Sequence, residues 1–67
     1  MSHAGYAIQA GRAALDLSQA ELAERAGVNP GYLSLVEAGQ RTPSARWMRT
    51  VLEALSAAIL ERRGEAS

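Results

Sequence analysis

The sequence predicts an all-α protein, a compact bundle of four to five helices with a long C-terminal helix. Alanine is abundant and 48% of the residues are hydrophobic, whereas phenylalanine is absent and aromatic residues make up only 4%. This composition favours helices over sheets. Apolar residues recur at helical spacing, and glycine, proline and capping residues divide the chain into segments of helix length. The 67 residues leave room for one small domain.

The first helix is predicted over residues 6–15, directly after Gly5. Ile8 and Leu15 lie seven residues apart and therefore share one face of a helix. Asp16 is predicted to end the helix, because aspartate tolerates the left-handed backbone conformation better than most residues.

The second helix is predicted over about residues 19–26. Ser18 is a suitable N-cap, and Glu21, three residues later, completes the pattern of a capping box. Gly27 follows the last helical residue and is free to take a positive φ, so it is predicted to end the helix.

The third helix is predicted over about residues 30–38. Asn29 is the predicted cap, and Pro30 stands in the first turn, where its missing N–H group is not needed. Gly39 ends the helix, and its inner face contains Leu33. Two short helices joined by a tight glycine turn have the spacing of a helix-turn-helix, whose second helix fits a DNA major groove.

The last helix is predicted to be long. Ser44 caps it and no glycine or proline interrupts residues 44–63, which indicates one helix or a fourth helix continuing into a short fifth. Leu60 is predicted either to be an ordinary exposed leucine or to contact a second copy in a dimer. The predicted apolar stripe contains Met48, Val51, Leu52, Leu55, Ala58 and Ile59.

Charge and composition exclude several classes of protein. Seven arginines balance seven acidic residues, which argues against an unselective basic coat for nucleic acid. The chain has no cysteine and only one histidine, His3, so we predict no metal site and no cofactor. No catalytic constellation, membrane span or apolar leader is apparent, and we therefore expect a cytoplasmic protein that is not an enzyme.

The segment from Leu17 to Gly39 contains a specific motif, namely Ser18-Gln19-x-x-Leu22-Ala23, then Gly27, then Ser34-x-x-Glu37-x-Gly39. With this motif the chain resembles the Cro/CI-type (XRE-type) phage-repressor helix-turn-helix family over about residues 8 to 55. The resemblance implies a helical bundle of the phage-repressor DNA-binding type that binds operator DNA, usually as a dimer.

The resemblance also implies roles for individual residues. Residues implied to face base edges are Asn29, Gly31, Ser34 and Leu35. Residues implied to lie near phosphates are Ser18, Gln19, Tyr32, Gln40, Arg41 and Thr42. An ion pair that fixes geometry is implied between Arg12 and Glu37.

Five of these residues have a simpler alternative reading. Ser18 and Asn29 are equally explained as helix caps. Gln19 has three possible roles. It could contact the DNA backbone, brace the predicted helix over about residues 30–38, or be an ordinary polar residue on the surface. Tyr32 is alternatively a core residue, and Arg41 a solvated loop charge. The exposed recognition face is poor in side chains that read bases, so specificity would rest on few contacts and on DNA shape.

Gly11 stands where the family usually has a bulky apolar residue, and Leu52 stands where the family often has a small one. The sequence therefore suggests a swap in which Leu52 fills the space over Gly11. On this hypothesis Gly11→Leu would overpack the core and cost about 1–3 kcal/mol.

The sequence thus predicts a domain over residues 6–63 with flexible termini at 1–5 and 64–67. Its predicted function is that of a sequence-specific transcription regulator, a repressor that binds double-stranded DNA at a palindromic operator. It would bind as a homodimer through the helix over about residues 30–38, with a partner protein as a further candidate. The rival prediction is an antitoxin-like or partner-binding helical interaction module with weak or no specific DNA binding, which Leu35, Leu60 and the zero net charge favour.

Overall fold

The computed structural model of the protein describes residues 3–66, with side chains as far as residue 64. Within this range the chain forms four α-helices and no strand, which confirms the predicted all-α bundle with a long C-terminal helix. No helix of the described part is long and apolar enough to cross a membrane. The helices are α1 (His3–Ala14), α2 (Gln19–Ala26), α3 (Pro30–Glu37) and α4 (Ala45–Ala66).

The four helices enclose one apolar core. α1 and α2 each pack against both α3 and α4. The molecule measures 39 × 19 × 19 Å, and its long dimension reflects α4, since 22 residues of α-helix span about 33 Å. The fully buried side chains come from all four helices and are Ile8, Leu22, Leu33, Val36 and Val51.

The predicted helix ends are largely confirmed. Asp16 and Gly27 have the left-handed conformation, with φ of 56° and 68°. α3 ends at Glu37, one residue earlier than predicted, because Ala38 is the C-cap. Gly39 follows with φ of 79°, so the glycine turns the chain just beyond the cap.

The predicted N-terminal boundary at residue 6 lies inside α1, which already begins at His3. The helix extends this far because Gly5 is buried against α3. A Cβ atom on Gly5 would lie 3.1 Å from the Cα atom of Glu37 and closer still to the carbonyl oxygen of Val36. α4 likewise continues past the predicted end at residue 63, to Ala66. The flexibility predicted for residues 1, 2 and 67 lies outside the described residues.

α4 is a single helix, and the face it buries differs in part from the predicted stripe. Val51, Leu55 and Ala58 are buried, but Leu52 and Ile59 remain 45% and 49% exposed. Leu52 and Ile59 each follow a buried residue by one position, which turns a helical side chain by about 100°. The inclusion of these two residues in the buried stripe was therefore wrong.

The proposed swap between Gly11 and Leu52 is also wrong. A Cβ atom on Gly11 would meet Leu55, whose Cδ1 lies 3.3 Å away. Leu55 fills this space because it lies near the middle of the buried face of α4, whereas Leu52 lies at its edge. An overpacked core is still expected for Gly11→Leu, now against Leu55.

Candidate nucleic-acid interface

α2 begins with a complete capping box. The Ser18 hydroxyl oxygen accepts a hydrogen bond from the Glu21 backbone N–H at 3.0 Å, and the Ser18 N–H donates to the Glu21 carboxylate at 2.9 Å. The hydrogen bond that the Ser18 N–H donates to the carboxylate, with smaller contributions from the Ser18 side chain and from Arg25, lowers the pKa of Glu21 below its ordinary value. The structure thus shows Ser18 as a helix cap, and its contact with a phosphate stays a prediction.

The turn between α2 and α3 is built by Gly27. The N–H of Val28 donates to the Ala23 carbonyl at 3.0 Å and the N–H of Gly27 donates to the Glu24 carbonyl at 3.3 Å. This pair of bonds is the Schellman arrangement, which places a residue of positive φ after the helix. Ala23 is only 2% exposed, so the small side chain lies where the helices meet.

α3 begins at Asn29, whose Oδ1 accepts a hydrogen bond from the Tyr32 N–H at 3.0 Å. A Cβ atom on Gly31 would lie 3.0 Å from the same Oδ1 atom, so glycine leaves the cap undisturbed. The carboxamide NH2 of Asn29 makes no hydrogen bond in the described residues. Pro30, Gly31 and Ser34 are exposed and Leu35 is half-buried, so this side of α3 is available to a ligand.

The C-terminal end of α3 is held by a polar cluster around Glu37. The Arg12 guanidinium donates to both carboxylate oxygens of Glu37, at 2.9 and 3.1 Å. The Glu37 side chain is only 3% exposed and that of Arg12 is 17% exposed. Arg12 also donates to the Leu17 carbonyl at 2.9 Å. The Arg12 side chain therefore links α1 to α3 and also to the loop that precedes α2.

Gln19 belongs to the same cluster. Its side-chain NH2 donates to the Glu37 carboxylate at 3.2 Å. Of the alternatives for Gln19, the structure therefore shows the brace, which joins α2 to α3. Its contact with the DNA backbone stays a prediction.

Tyr32 packs through its ring. The ring meets that of Trp47 edge to face, with centroids 5.2 Å apart and planes at 76°. Both residues are half-buried and lie against the core, so the reading of Tyr32 as a packing residue has direct support.

The loop between α3 and α4 presents Gln40, Arg41 and Thr42 as exposed residues. The Gln40 N–H donates to the Leu35 carbonyl at 2.9 Å, which ties the start of the loop to α3. The Arg41 guanidinium donates only to the neighbouring Gln40 carbonyl, at 3.2 Å, and forms no ion pair within residues 3–64. The loop therefore carries a cation that no carboxylate of the described residues neutralises.

The site residues that reasoning from sequence missed are those whose role depends on distant contacts. Gly5 allows α1 to pack directly against the backbone of α3. Arg62 donates hydrogen bonds to the Leu15 carbonyl at 2.9 Å and to the Asp16 carboxylate at 3.3 Å. No local pattern marks these contacts, because their partners lie more than 30 residues away. The motif around Ser18 and Asn29 was visible because each cap acts within three residues.

A comparison with family models agrees with this arrangement. The family model described as helix-turn-helix matches residues 8–59, from the first turns of α1 into α4. A search of curated proteins and a search of solved structures each returned no match. The matched family serves regulatory DNA binding, and catalysis is not typical of it. Because the match covers most of the chain, the protein belongs to the XRE-type, Cro/CI-like helix-turn-helix family and is a DNA-binding transcription regulator of that type.

Proposed function

We propose that the protein is a sequence-specific repressor, which binds a palindromic operator as a homodimer through residues 30–38. One observation carries the proposal: α3 is fixed on its inner side and exposed on its outer side. Leu33 and Val36 are fully buried, and Glu37 is held by three side-chain hydrogen bonds. Gly31 and Ser34 face outward, and a major groove is wide enough to admit such a helix.

The proposed contacts divide into two groups. The Asn29 amide, the Ser34 hydroxyl and the Leu35 side chain would face base edges, with leucine suited to a thymine methyl group. Gly31 would allow close approach of the backbone. Ser18, Gln19, Tyr32 and the loop residues Gln40, Arg41 and Thr42 would lie near phosphates, which position the protein without reading sequence.

Few of these residues read bases strongly, since arginine to guanine and asparagine or glutamine to adenine are the strong pairings. A single copy would therefore discriminate weakly. A homodimer doubles the contacts, and its two recognition helices would enter the groove about 34 Å apart, one turn of DNA. We expect DNA shape at positions between the half-sites to contribute as well.

The first experiment is selection of bound sequences from random duplex DNA, followed by the salt dependence of the selected sites. Enrichment of a palindrome with half-sites about one turn apart supports the proposal. Recovery of no motif, with weak binding that disappears at physiological salt, contradicts it. That second outcome favours the alternative function, a helical interaction module that binds a partner protein, to which the zero net charge and exposed Leu60 point.

Two arginine variants test the proposed role of the loop. Arg41→Ala removes the unneutralised loop cation and is expected to weaken binding to all sequences and to reduce the salt slope by about one. Arg25→Ala is the matched control, because Arg25 lies on α2 and its charge is paired with Glu61 at 2.7 Å. Equal salt slopes for Arg41→Ala and the unmodified protein would show that Arg41 does not contact the DNA backbone.

Changing Ser34 is expected to have a different effect. Because its hydroxyl would contact a base edge, Ser34→Ala should alter the selected sequence at one position of each half-site while leaving the salt slope unchanged. A uniform loss of affinity across all sequences would place Ser34 at the phosphates instead.

A further inference from the structure

The outward side of α3 has almost no side-chain group that can form a hydrogen bond with a base. Leu33 and Val36 are buried in the core, and successive residues of a helix are turned by about 100°. The side opposite these two residues, which we call the outer face of α3, consists of Pro30, Gly31, Ser34, Leu35 and the C-cap Ala38. Leu35 is half-buried and the others are exposed. Within this face the Ser34 hydroxyl is the one polar side-chain group.

The outer face therefore lacks the strong hydrogen-bonding pairings with bases. Those pairings use arginine or lysine for guanine, asparagine or glutamine for adenine, and a carboxylate for cytosine. The carboxylate that α3 does contain, Glu37, is 3% exposed and bound by Arg12. The Ser34 hydroxyl can both donate and accept a hydrogen bond, so it fits either kind of base edge. Hydrogen bonds from the outer face thus distinguish poorly between base pairs.

The Asn29 amide, at the start of α3, is turned by its role as a cap. Its Oδ1 accepts the hydrogen bond from the Tyr32 N–H at 3.0 Å, so the amide presents chiefly its NH2 group to a ligand. The specific pairing with adenine needs the amide oxygen as well as the NH2 group. We therefore expect Asn29 to donate a single hydrogen bond, which guanine, adenine and thymine can all accept in the major groove.

Leu35 is the largest apolar side chain of the outer face. Gly31, one turn earlier, has no side chain, and Ala38, about one turn later, has only a methyl group. Neither neighbour would hold Leu35 away from the bases, because residues three and four apart adjoin on a helix surface. The apolar group that a base presents in the major groove is the C5-methyl group of thymine. Contact between Leu35 and this methyl group is thus the interaction of the outer face that a change of base would abolish.

We propose that the outer face of α3 selects the C5-methyl group itself, through Leu35, and therefore accepts 5-methylcytosine in place of thymine. Both bases carry the methyl group at the same ring position. They differ in the adjacent group, an oxygen acceptor in thymine and an amino donor in 5-methylcytosine, and the Ser34 hydroxyl fits both. Methylation of a cytosine at this position would create a binding site rather than block one. The inference rests on the proposed function and deepens it, because it names the chemical group that the operator must present.

The size of the effect follows from the burial of one methyl group. Removing a group of this size from water changes affinity by about fourfold. A palindromic operator presents the methyl group once in each half-site, so the loss of both is expected to weaken binding by about 15-fold. This difference is large enough for an equilibrium titration to measure.

Base substitution in the selected operator tests the inference without altering the protein. Uracil in place of thymine removes the methyl group and keeps the hydrogen-bonding groups of the base pair. At one thymine position of each half-site, uracil is expected to weaken binding by about 15-fold. At the same position a 5-methylcytosine–guanine pair should bind within about threefold of the thymine operator, and an unmethylated cytosine–guanine pair about 15-fold more weakly. Uracil at thymines outside the half-sites is the control and should have no effect.

A protein variant assigns the methyl contact to one side chain. With Leu35→Ala, the difference between the thymine and uracil operators is expected to fall below about twofold, because the side chain that reaches the methyl group is gone. Leu60→Ala is the matched control, since it shortens an exposed leucine on α4 and should preserve the full difference. Circular dichroism verifies that both variants are folded.

Equal binding of the thymine and uracil operators, or no gain from methylating the cytosine, would overturn the inference and leave a repressor that reads DNA shape. A difference that persists in folded Leu35→Ala would overturn the role of Leu35. Recovery of no motif in the selection would overturn both the proposed function and the inference. A motif that depends on the methyl group but is not a palindrome would support the inference and contradict the homodimer.

Discussion

The contact between Gly5 and α3 leads to a sharp prediction about stability. Gly5 is buried in the first turn of α1, where it faces the backbone of Val36 and Glu37. An added Cβ atom would lie 3.1 Å from the Glu37 Cα atom and less than 3.0 Å from the Val36 carbonyl oxygen. Gly5→Ala is therefore expected to destabilise the protein, because backbone atoms of a packed helix cannot move aside as a flexible side chain does.

Two opposing effects set the size of the stability change expected for Gly5→Ala. Overpacking a well-filled core costs about 1–3 kcal/mol, whereas alanine is favoured over glycine within a helix by up to about 1 kcal/mol. The steric effect dominates at Gly5, and we expect a net loss of about 1–2 kcal/mol. For a domain of this size such a loss lowers Tm by about 4–16 °C.

Thermal unfolding followed by circular dichroism measures the effect, and the chain supplies two controls. A Cβ atom on Gly64 would meet nothing within 4 Å, so Gly64→Ala is expected to leave Tm unchanged or raise it. A Cβ atom on Gly11 would meet only the Cδ atoms of Leu55, the nearest at 3.3 Å, so Gly11→Ala is expected to have a small effect. A Tm for Gly5→Ala equal to or above that of the unmodified protein would refute the argument.

Two further predictions concern polar groups. Arg12→Ala leaves the carboxylate of Glu37, which is 3% exposed, without its cation and should cost about 3–5 kcal/mol. The double variant Arg12→Met with Glu37→Leu should recover most of that loss in a urea titration, and failure to recover would show that the pair contributes net stability. The lowered pKa of Glu21 means that its capping stabilisation is present at neutral pH and is lost as pH falls through that pKa. Glu21→Gln should therefore flatten the acid side of the stability profile, and an unchanged profile would contradict the role assigned to the carboxylate.

Local chemistry explains why much of the fold was predictable. Ser18 and Asn29 cap their helices through backbone groups three residues away, and Gly27 turns the chain through its own φ. Each cap or turn involves residues only a few positions apart, so all of those residues can be recognised together in the sequence. The pairing of Arg12 with Glu37 was anticipated only through the family resemblance, since 25 residues separate the two side chains.

The burial pattern of α4 shows where prediction from the sequence reached its limit. Leu52, Leu55 and Ile59 follow helical spacing equally well, so periodicity alone indicates one broad apolar face. The structure divides that face, because Leu55 packs over Gly11 of α1 whereas Leu52 and Ile59 remain about half exposed. Which edge of an apolar stripe is buried depends on where the neighbouring helices lie, and that position is not encoded in the stripe itself.

The sequence by itself therefore determined the helical class, the caps, the turn between α2 and α3, and the family motif, because these depend on contacts within a few residues. Only the tertiary structure decided that Gly5 seats α1 on α3, that Leu55 rather than Leu52 covers Gly11, and that Gln19 braces Glu37. These contacts join residues that are distant in the chain, and their geometry is set by the packing of whole helices around one core.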